Sequence, residues 1–334
     1  MTSKQLAKGL VFAFAVACGA AFPQPRELTF AYQDMLVPLR TVIASGELER
    51  TTGYKIRWRQ FGGGSDVIRA MSAGTVQIGE AGSSPIAAAA SQGQDVRLFW
   101  ILDDIANAEA LVVRNGSGIH TWPELKGRRI ATPFLSTSHY QLLAGLKLAH
   151  VDPKDVNIVN LRPQEIAAAW SRGDIDGAFI WEPALSRIKA DGKVIGTSGD
   201  IGVAGYPTFD GLVVDAKWAA DNRDFLVALV KVVARADEAY RRNPARWTAD
   251  SAPVKAVAKW SKADPKAVPA GIAAYRFPTL QQQVSAEWLD GGAAKALGDT
   301  AQFLKRQGRL RQVQPDYGAF VTDEYARGAL ATAP

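Results

Sequence analysis

The sequence predicts an α/β protein of two similar lobes joined by two hinge strands, and three observations carry that prediction. Strand-like and helix-like runs alternate from residue 28 to 91 and again from 130 to 183, the pattern of a largely parallel sheet covered by helices. The second series repeats the first in the same order. Two near-identical segments, Glu109-Ala-Leu-Val-Val113 and Asp210-Gly-Leu-Val-Val214, stand outside both series and suit strands that link the lobes. At 334 residues the chain is also long for one hydrophobic core.

The chain begins with Lys4 and Lys8, a short apolar run from Leu10 to Ala17, and small residues up to Ala21. This is the pattern of an export signal over residues 1–21, cut before Phe22, and the apolar run is too short to span a bilayer. Cys18, the single cysteine, lies inside it, so cleavage there leaves a mature chain without thiol or disulfide. Ala15-Val-Ala-Cys18 also fits a lipoprotein site loosely, and lipid anchoring through Cys18 is the alternative. No later run is apolar enough for a transmembrane helix, so a soluble protein outside the cytoplasmic membrane is expected.

The first series opens with a strand at Leu28–Gln33, a helical stretch around Leu39–Glu49 and a strand at Lys55–Phe61. Gly62-Gly-Gly-Ser-Asp66 leads to a helix that stops at Gly74, and the strand Val76–Gly79 follows. Ser84 is then the expected N-cap of an alanine-rich helix, with Pro85 at its first position. In the second series Ile130–Phe134 answers the first strand, Val156–Leu161 the second, Ile166–Gly173 the glycine-ended helix and Ile175–Ile180 the third strand. From that glycine to the following proline the interval is 11 residues in the first copy and 10 in the second. Beyond Asn222 helical spacing dominates, with helices expected at Phe225–Asn243, Val254–Trp260, Leu280–Trp288 and Ala294–Gln307. The lobes are therefore expected as 22–108 with 215–334, and 109–214.

Composition is that of a globular protein, 47% apolar and 22% charged, with a formal charge of +6. The basic residues are scattered apart from Lys305–Arg311, a solvated helix end without interleaved aromatics, so no nucleic-acid partner is expected. His120, His139 and His150 lack metal-ligand spacing. No Gly-x-Ser-x-Gly elbow surrounds Ser136, and Gly62-Gly-Gly-Ser65 lacks the Gly-Lys-[Ser/Thr] ending of a phosphate loop. Neither a catalytic residue, a metal nor a cofactor is expected.

The residues fit a zwitterionic ligand instead. Ser83-Ser84 and Ser136-Thr137-Ser138 lie where a strand hands over to a helix, so hydroxyls and free backbone N–H groups gather at the positive end of a helix dipole. Glu109 and Asp210 open the two linking strands and could meet in a cleft to accept from a cation; capping their own strands in solvent is the alternative. Trp181, Tyr32 or Trp100 could stack on the short linker between the charges. Such a ligand is taurine-like, a sulfonate joined to an ammonium.

These motifs resemble the periplasmic substrate-binding proteins of aliphatic-sulfonate ABC importers, over about residues 28–325. The resemblance is carried by Val76-Gln-Ile-Gly79 with Gly82-Ser-Ser-Pro85, by Glu109-Ala-Leu-Val-Val113, by Pro133-Phe-Leu-Ser-Thr-Ser-His-Tyr140, by Arg172-Gly-Asp-Ile-Asp-Gly-Ala178 and by Pro207-Thr-Phe-Asp210. Trp181-Glu-Pro183 marks the wider sulfonate and nitrate group; the Phe134–Tyr140 segment with both acids marks the taurine type. The resemblance implies a type II-like periplasmic binding-protein fold that closes on its ligand, works as a monomer in the periplasm and delivers to a membrane permease. It implies sulfonate contacts at Ser83, Ser84, Thr137 and His139, with Trp181 and Gln33 nearby, and ammonium contacts at Glu109 and Asp210. Asp34-Met-Leu36 replaces small polar residues, and Glu182 stands where a small residue is usual. Asp34 is thus expected to add negative charge near the pocket. Rival classes fit less well: enzymes on this scaffold use cysteine and histidine motifs missing here, and a DNA-binding regulator would need a helix-turn-helix where the signal stands. Other alkanesulfonates or nitrate are the alternative ligands.

Overall fold

A computed structural model describes residues 26–332; the expected export signal and Cys18 lie outside the described residues. Ten strands follow in chain order: β1 (Glu27–Tyr32), β2 (Lys55–Gln60), β3 (Ile78–Gly82), β4 (Val96–Asp104), β5 (Glu109–Arg114), β6 (Arg129–Thr132), β7 (Asn157–Asn160), β8 (Gly177–Trp181), β9 (Gly192–Thr197) and β10 (Phe209–Asp215). They form two five-stranded sheets, ordered β2-β1-β3-β10-β4 and β7-β6-β8-β5-β9. The repeat read from the sequence is thus a repeat of topology. In the first sheet β1 is parallel to β2 and β3, and in the second β6 is parallel to β7 and β8.

The two acid-x-Leu-Val-Val segments do not link the lobes, as expected, but complete them. β5 lies antiparallel between β8 and β9, and β10 lies antiparallel between β3 and β4. Each is covered on both faces, which is why consecutive positions rather than alternate ones are apolar and buried. The chain crosses between lobes just before each strand, near 105–108 and 204–208, where Ile105 N–H donates to the Thr208 carbonyl at 3.3 Å. β10 therefore belongs to the first sheet, and the expected boundary at 214 moves back to the second crossing.

Other differences are local. β4 and β9 have no counterpart in the sequence reading, because a continuous run such as Leu98-Phe-Trp-Ile-Leu102 carries no period. β3 starts two residues later than expected. The helix expected over 280–288 covers only Leu280–Gln283. Gln283 accepts from Ile101 N–H at 2.8 Å and donates to the Ile101 carbonyl at 2.7 Å, pairing with the outer edge of β4 as a neighbouring strand would. Among the described residues no helix is long and apolar enough to cross a membrane. The helix Gly292–Arg306 packs on Ser83–Ser91 and reaches the second lobe through Phe303, whose ring lies 5.1 Å from Tyr140 and 5.5 Å from Tyr206.

Candidate functional site

Six segments converge between the two sheets. The carboxyl ends of β1, β3 and β8 bring Gln33, Gly82 and Trp181, the places where open α/β sheets hold ligands. The starts of β5 and β10 bring Glu109 and Asp210, and the N-terminus of the helix Thr137–Leu148 brings Ser136 and Thr137. These residues, with Met35, Gly64 and Pro85, line a narrow cavity that opens to solvent on one side. Six of the nine expected site residues border it: Gln33, Glu109, Ser136, Thr137, Trp181 and Asp210. Ser83, Ser84 and His139 do not, and neither do Tyr32 and Trp100.

The two acids do meet in the cleft and are buried there, Glu109 2% exposed and Asp210 7%. Glu109 accepts from the Thr137 hydroxyl at 2.5 Å and the Ser198 hydroxyl at 3.2 Å. Burial nevertheless pushes its carboxyl up to about 7, against the opposing effect of the Thr137, Ser138 and Ser198 hydroxyls. Asp210 is held well above the carboxylate range by burial and then by the charges of Glu109 and Glu80. Glu80 is different, for Arg40 grips it with two bonds of 2.5 and 2.8 Å. Neither Glu109 nor Asp210 has such a cation among the described residues, and an uncompensated buried carboxylate is costly.

The hydroxyls divide into committed and free. Ser136 caps its helix, accepting from His139 N–H at 3.1 Å and donating to the Pro133 carbonyl at 2.6 Å. Thr137 is committed to Glu109. Ser84 is not the expected cap: the neighbouring helix begins at Ser83 with Gly82 at its N-cap. The Ser83 and Ser84 hydroxyls are buried without partners among the described residues, both at the first turn of their helix.

His139 is a neutral donor. Its Nδ1 accepts from Leu135 N–H at 3.1 Å, and its ring stacks on Phe134 at 4.7 Å. Burial depresses the imidazole to about 3, so the proton sits on Nε2, which is buried and unpartnered. Gln33 serves the scaffold, with its side-chain amide on the Glu80 carbonyl at 3.3 Å and its backbone N–H on the Glu80 carboxylate at 2.8 Å.

Asp34, expected as extra negative charge, instead accepts from Trp181 Nε1 at 3.1 Å across the cleft. Its carboxyl is buried and raised by that burial. Glu182 is likewise buried and accepts from Ser186 N–H at 3.0 Å, closing the turn into the next helix. The sequence reading missed Ser198 and Asp103, the latter opposite Asp210 in the sheet. An unassigned serine and an unassigned strand left no signal for either. Among the described residues no group of three or more His, Cys, Asp and Glu side chains is placed to hold a metal ion.

The chain as a whole has relatives among known proteins. The family model described as NMT1/THI5 like matches residues 51–247. The chain is 39% identical over 313 residues to the taurine-binding periplasmic protein of Escherichia coli (strain K12), covering 94% of this chain and 97% of that one. Among solved structures, the alkanesulfonate-binding protein SsuA from Xanthomonas axonopodis pv. citri bound to MOPS superposes with a TM-score of 0.76 at 24% identity, over 89% of this chain and 98% of that chain. The desulfurization enzyme DSZB shares the fold at a TM-score of 0.62 and 17% identity, over 92% of this chain and 99% of that chain.

Proposed function

This chain belongs to the NMT1/THI5-like family, and on that premise we propose that it is an extracytoplasmic binding protein that captures taurine, 2-aminoethanesulfonate, for import by an ABC transporter. The observation that carries the reading is the meeting of Glu109 and Asp210, one from each lobe, with no cation among the described residues to neutralise them. A bound ammonium offsets their desolvation and gains charge-assisted hydrogen bonds. The sulfonate points the other way, toward the first turns of the helices Ser83–Ser91 and Thr137–Leu148. There the Ser83 and Ser84 hydroxyls and His139 Nε2 are donors without partners among the described residues. A sulfonate is ionised at every physiological pH, so neutral donors and helix dipoles suffice to hold it.

Trp181, held by Asp34, covers the ligand's short carbon linker, and Gln33 shapes the wall. Because the ligand touches both lobes, its binding energy favours their closure, and the closed form is what a permease would recognise. The name of the Escherichia coli relative supports the same ligand. The shared fold of DSZB keeps an enzyme in view, but the chain's single cysteine at position 18 leaves residues 22–334 without a thiol nucleophile. We read the protein as a periplasmic, monomeric carrier with no cofactor.

Calorimetric titration of the purified protein with taurine, ethanesulfonate, sulfate and nitrate tests this. Taurine should bind most tightly, by a margin set by the ammonium. Equal affinity for ethanesulfonate would make the protein a general alkanesulfonate carrier, and a preference for nitrate would overturn the sulfonate reading.

A further inference from the structure

Behind Asp210, away from the cavity, stands Asp103. β4 and β10 run antiparallel with Asp103 directly opposite Asp210, and residues so opposed present their side chains on one face, their Cβ atoms ~5 Å apart. Asp103 is fully buried, and neither of its oxygens meets a donor among the described residues. The groups facing it offer no positive charge. They are Asp210, its neighbour Asp104, Asp237 from the helix Arg223–Arg242, Glu80 from β3 and the phenol of Tyr275. Arg40, the guanidinium that acts on Asp210, is already bound to both oxygens of Glu80. Two ionised carboxylates cannot rest against each other here, whereas a proton on one of them supplies the missing donor. Asp103 is the more deeply buried of the two, and only Asp210 borders the cavity, where a ligand cation favours the ionised form.

Building on the reading that an ammonium lies between Glu109 and Asp210, we propose that Asp103 is a positioning residue that stays protonated, donates a hydrogen bond to one oxygen of Asp210 and leaves the other oxygen turned to the ammonium. Burial and the surrounding acids push Asp103 well above the usual carboxylate range, in accord with that arrangement. Asp103 thereby sets the direction and the charge of Asp210 without touching the ligand. It tunes the site for amines and leaves the sulfonate end alone.

The test compares wild type, Asp103→Asn and Asp103→Ala by titration with taurine and with ethanesulfonate, alongside infrared difference spectra of wild type minus Asp103→Asn at neutral pH. Asparagine keeps a donor and cannot ionise, so its taurine affinity should stay within about twofold of wild type, while alanine should lose about tenfold or more. Ethanesulfonate should bind both variants as it binds wild type. The carbonyl stretch of a protonated carboxylic acid should appear in the difference spectrum with and without taurine. Taurine binding by Asp103→Asn as weak as that of Asp210→Asn would overturn the proposal, since Asp103 would then act as a charge. So would absence of the acid band. If Asp103→Ala does not fold, the asparagine variant and the band still decide. Failure of the wild type to bind taurine would sink the ligand reading by itself, while the band would still report the proton on Asp103.

Discussion

Glu109 should govern how binding depends on pH. Its carboxyl, raised to about 7 by burial, is largely protonated below neutrality, and an ammonium placed beside it favours the ionised form. Binding below that point must release the proton, so taurine affinity should rise with pH and level off above about 7, losing up to tenfold per unit on the acid side. His139 should impose no opposite trend. Its imidazole, depressed to about 3 with Nδ1 already accepting from Leu135, is neutral throughout, so the fall in affinity through about pH 6.5 that a cationic histidine would cause is not expected. Titrations between about pH 5 and 8 check both; a taurine affinity that falls as pH rises would show that an imidazolium holds the sulfonate after all. Asp210→Asn separates taurine from its uncharged analogue. It should weaken taurine by roughly 2–4 kcal/mol and leave ethanesulfonate unchanged or slightly tighter. The same loss for both ligands would mean that Asp210 is structural.

Two elements bring the lobes into register, the end of β3 and the first turn of the helix Thr137–Leu148. Gly82 closes β3, and a Cβ there would sit 2.6 Å from Thr137 Cγ2 and 3.1 Å from Asp210 Oδ1. Its backbone is extended, so alanine fits the conformation and only the space is lacking. Gly82→Ala should prop the helix off the strand and weaken taurine and ethanesulfonate alike by about tenfold or more, at about 1.4 kcal/mol per decade. The ligand-free protein should melt as before, because neither lobe's core is touched. Unchanged affinity would mean that the helix does not press on β3 when ligand is bound. Thr137→Val acts through a different partner. It removes a donor from Glu109, leaving the Ser198 bond, and should cost roughly 1–3 kcal/mol of taurine binding. It should also move the midpoint of the pH profile upward, which loss of a direct contact to the sulfonate would not do.

At the scale of the molecule, side chains from both lobes meet across the cleft. Trp181 donates to Asp34, Arg187 donates to the Lys262 carbonyl at 3.2 Å, and Arg162 pairs with Asp66 at 3.3 Å. The last pair is exposed on the arginine side, so Arg162→Ala should weaken every ligand equally, by at most about 1 kcal/mol and less at high salt. Small-angle scattering should show compaction when taurine is added, and an unchanged profile at saturation would rule out hinge closure. Stability follows the same acids. The folded-state carboxyl of Glu109 lies above its ordinary 4.5, so the ligand-free fold binds the proton more tightly than the unfolded chain. Its stability should decline from about pH 4.5 to about 7 and then level off, by on the order of 3 kcal/mol from this group. Taurine should restore that loss, giving a larger melting shift at pH 8 than at pH 5; equal shifts would detach Glu109 from the ligand.

Much of the architecture was legible in the chain because it is local. A strand such as Leu28–Tyr32, a helix that stops at Gly173 and a capping serine at 136 depend on residues within a turn of one another. Their repetition in order foretold two sheets of like topology. Sheet membership was not local. Glu109 and Asp210 stood out by position and residue type, yet which sheet β5 and β10 complete is decided by pairing with strands far away in the chain. β4, a continuous apolar run, had no period by which to declare itself. The same holds for hydrogen-bonding capacity within the site. That Ser84 is free while Thr137 is taken, that Trp181 is held by Asp34, and that Asp103 lies against Asp210 all follow from segments brought together only by folding. The sequence determined which chemical groups the cleft could contain. The tertiary structure decided which of them were left with unspent charge and unused donors, because a side chain's remaining valence is whatever its spatial neighbours have not already taken.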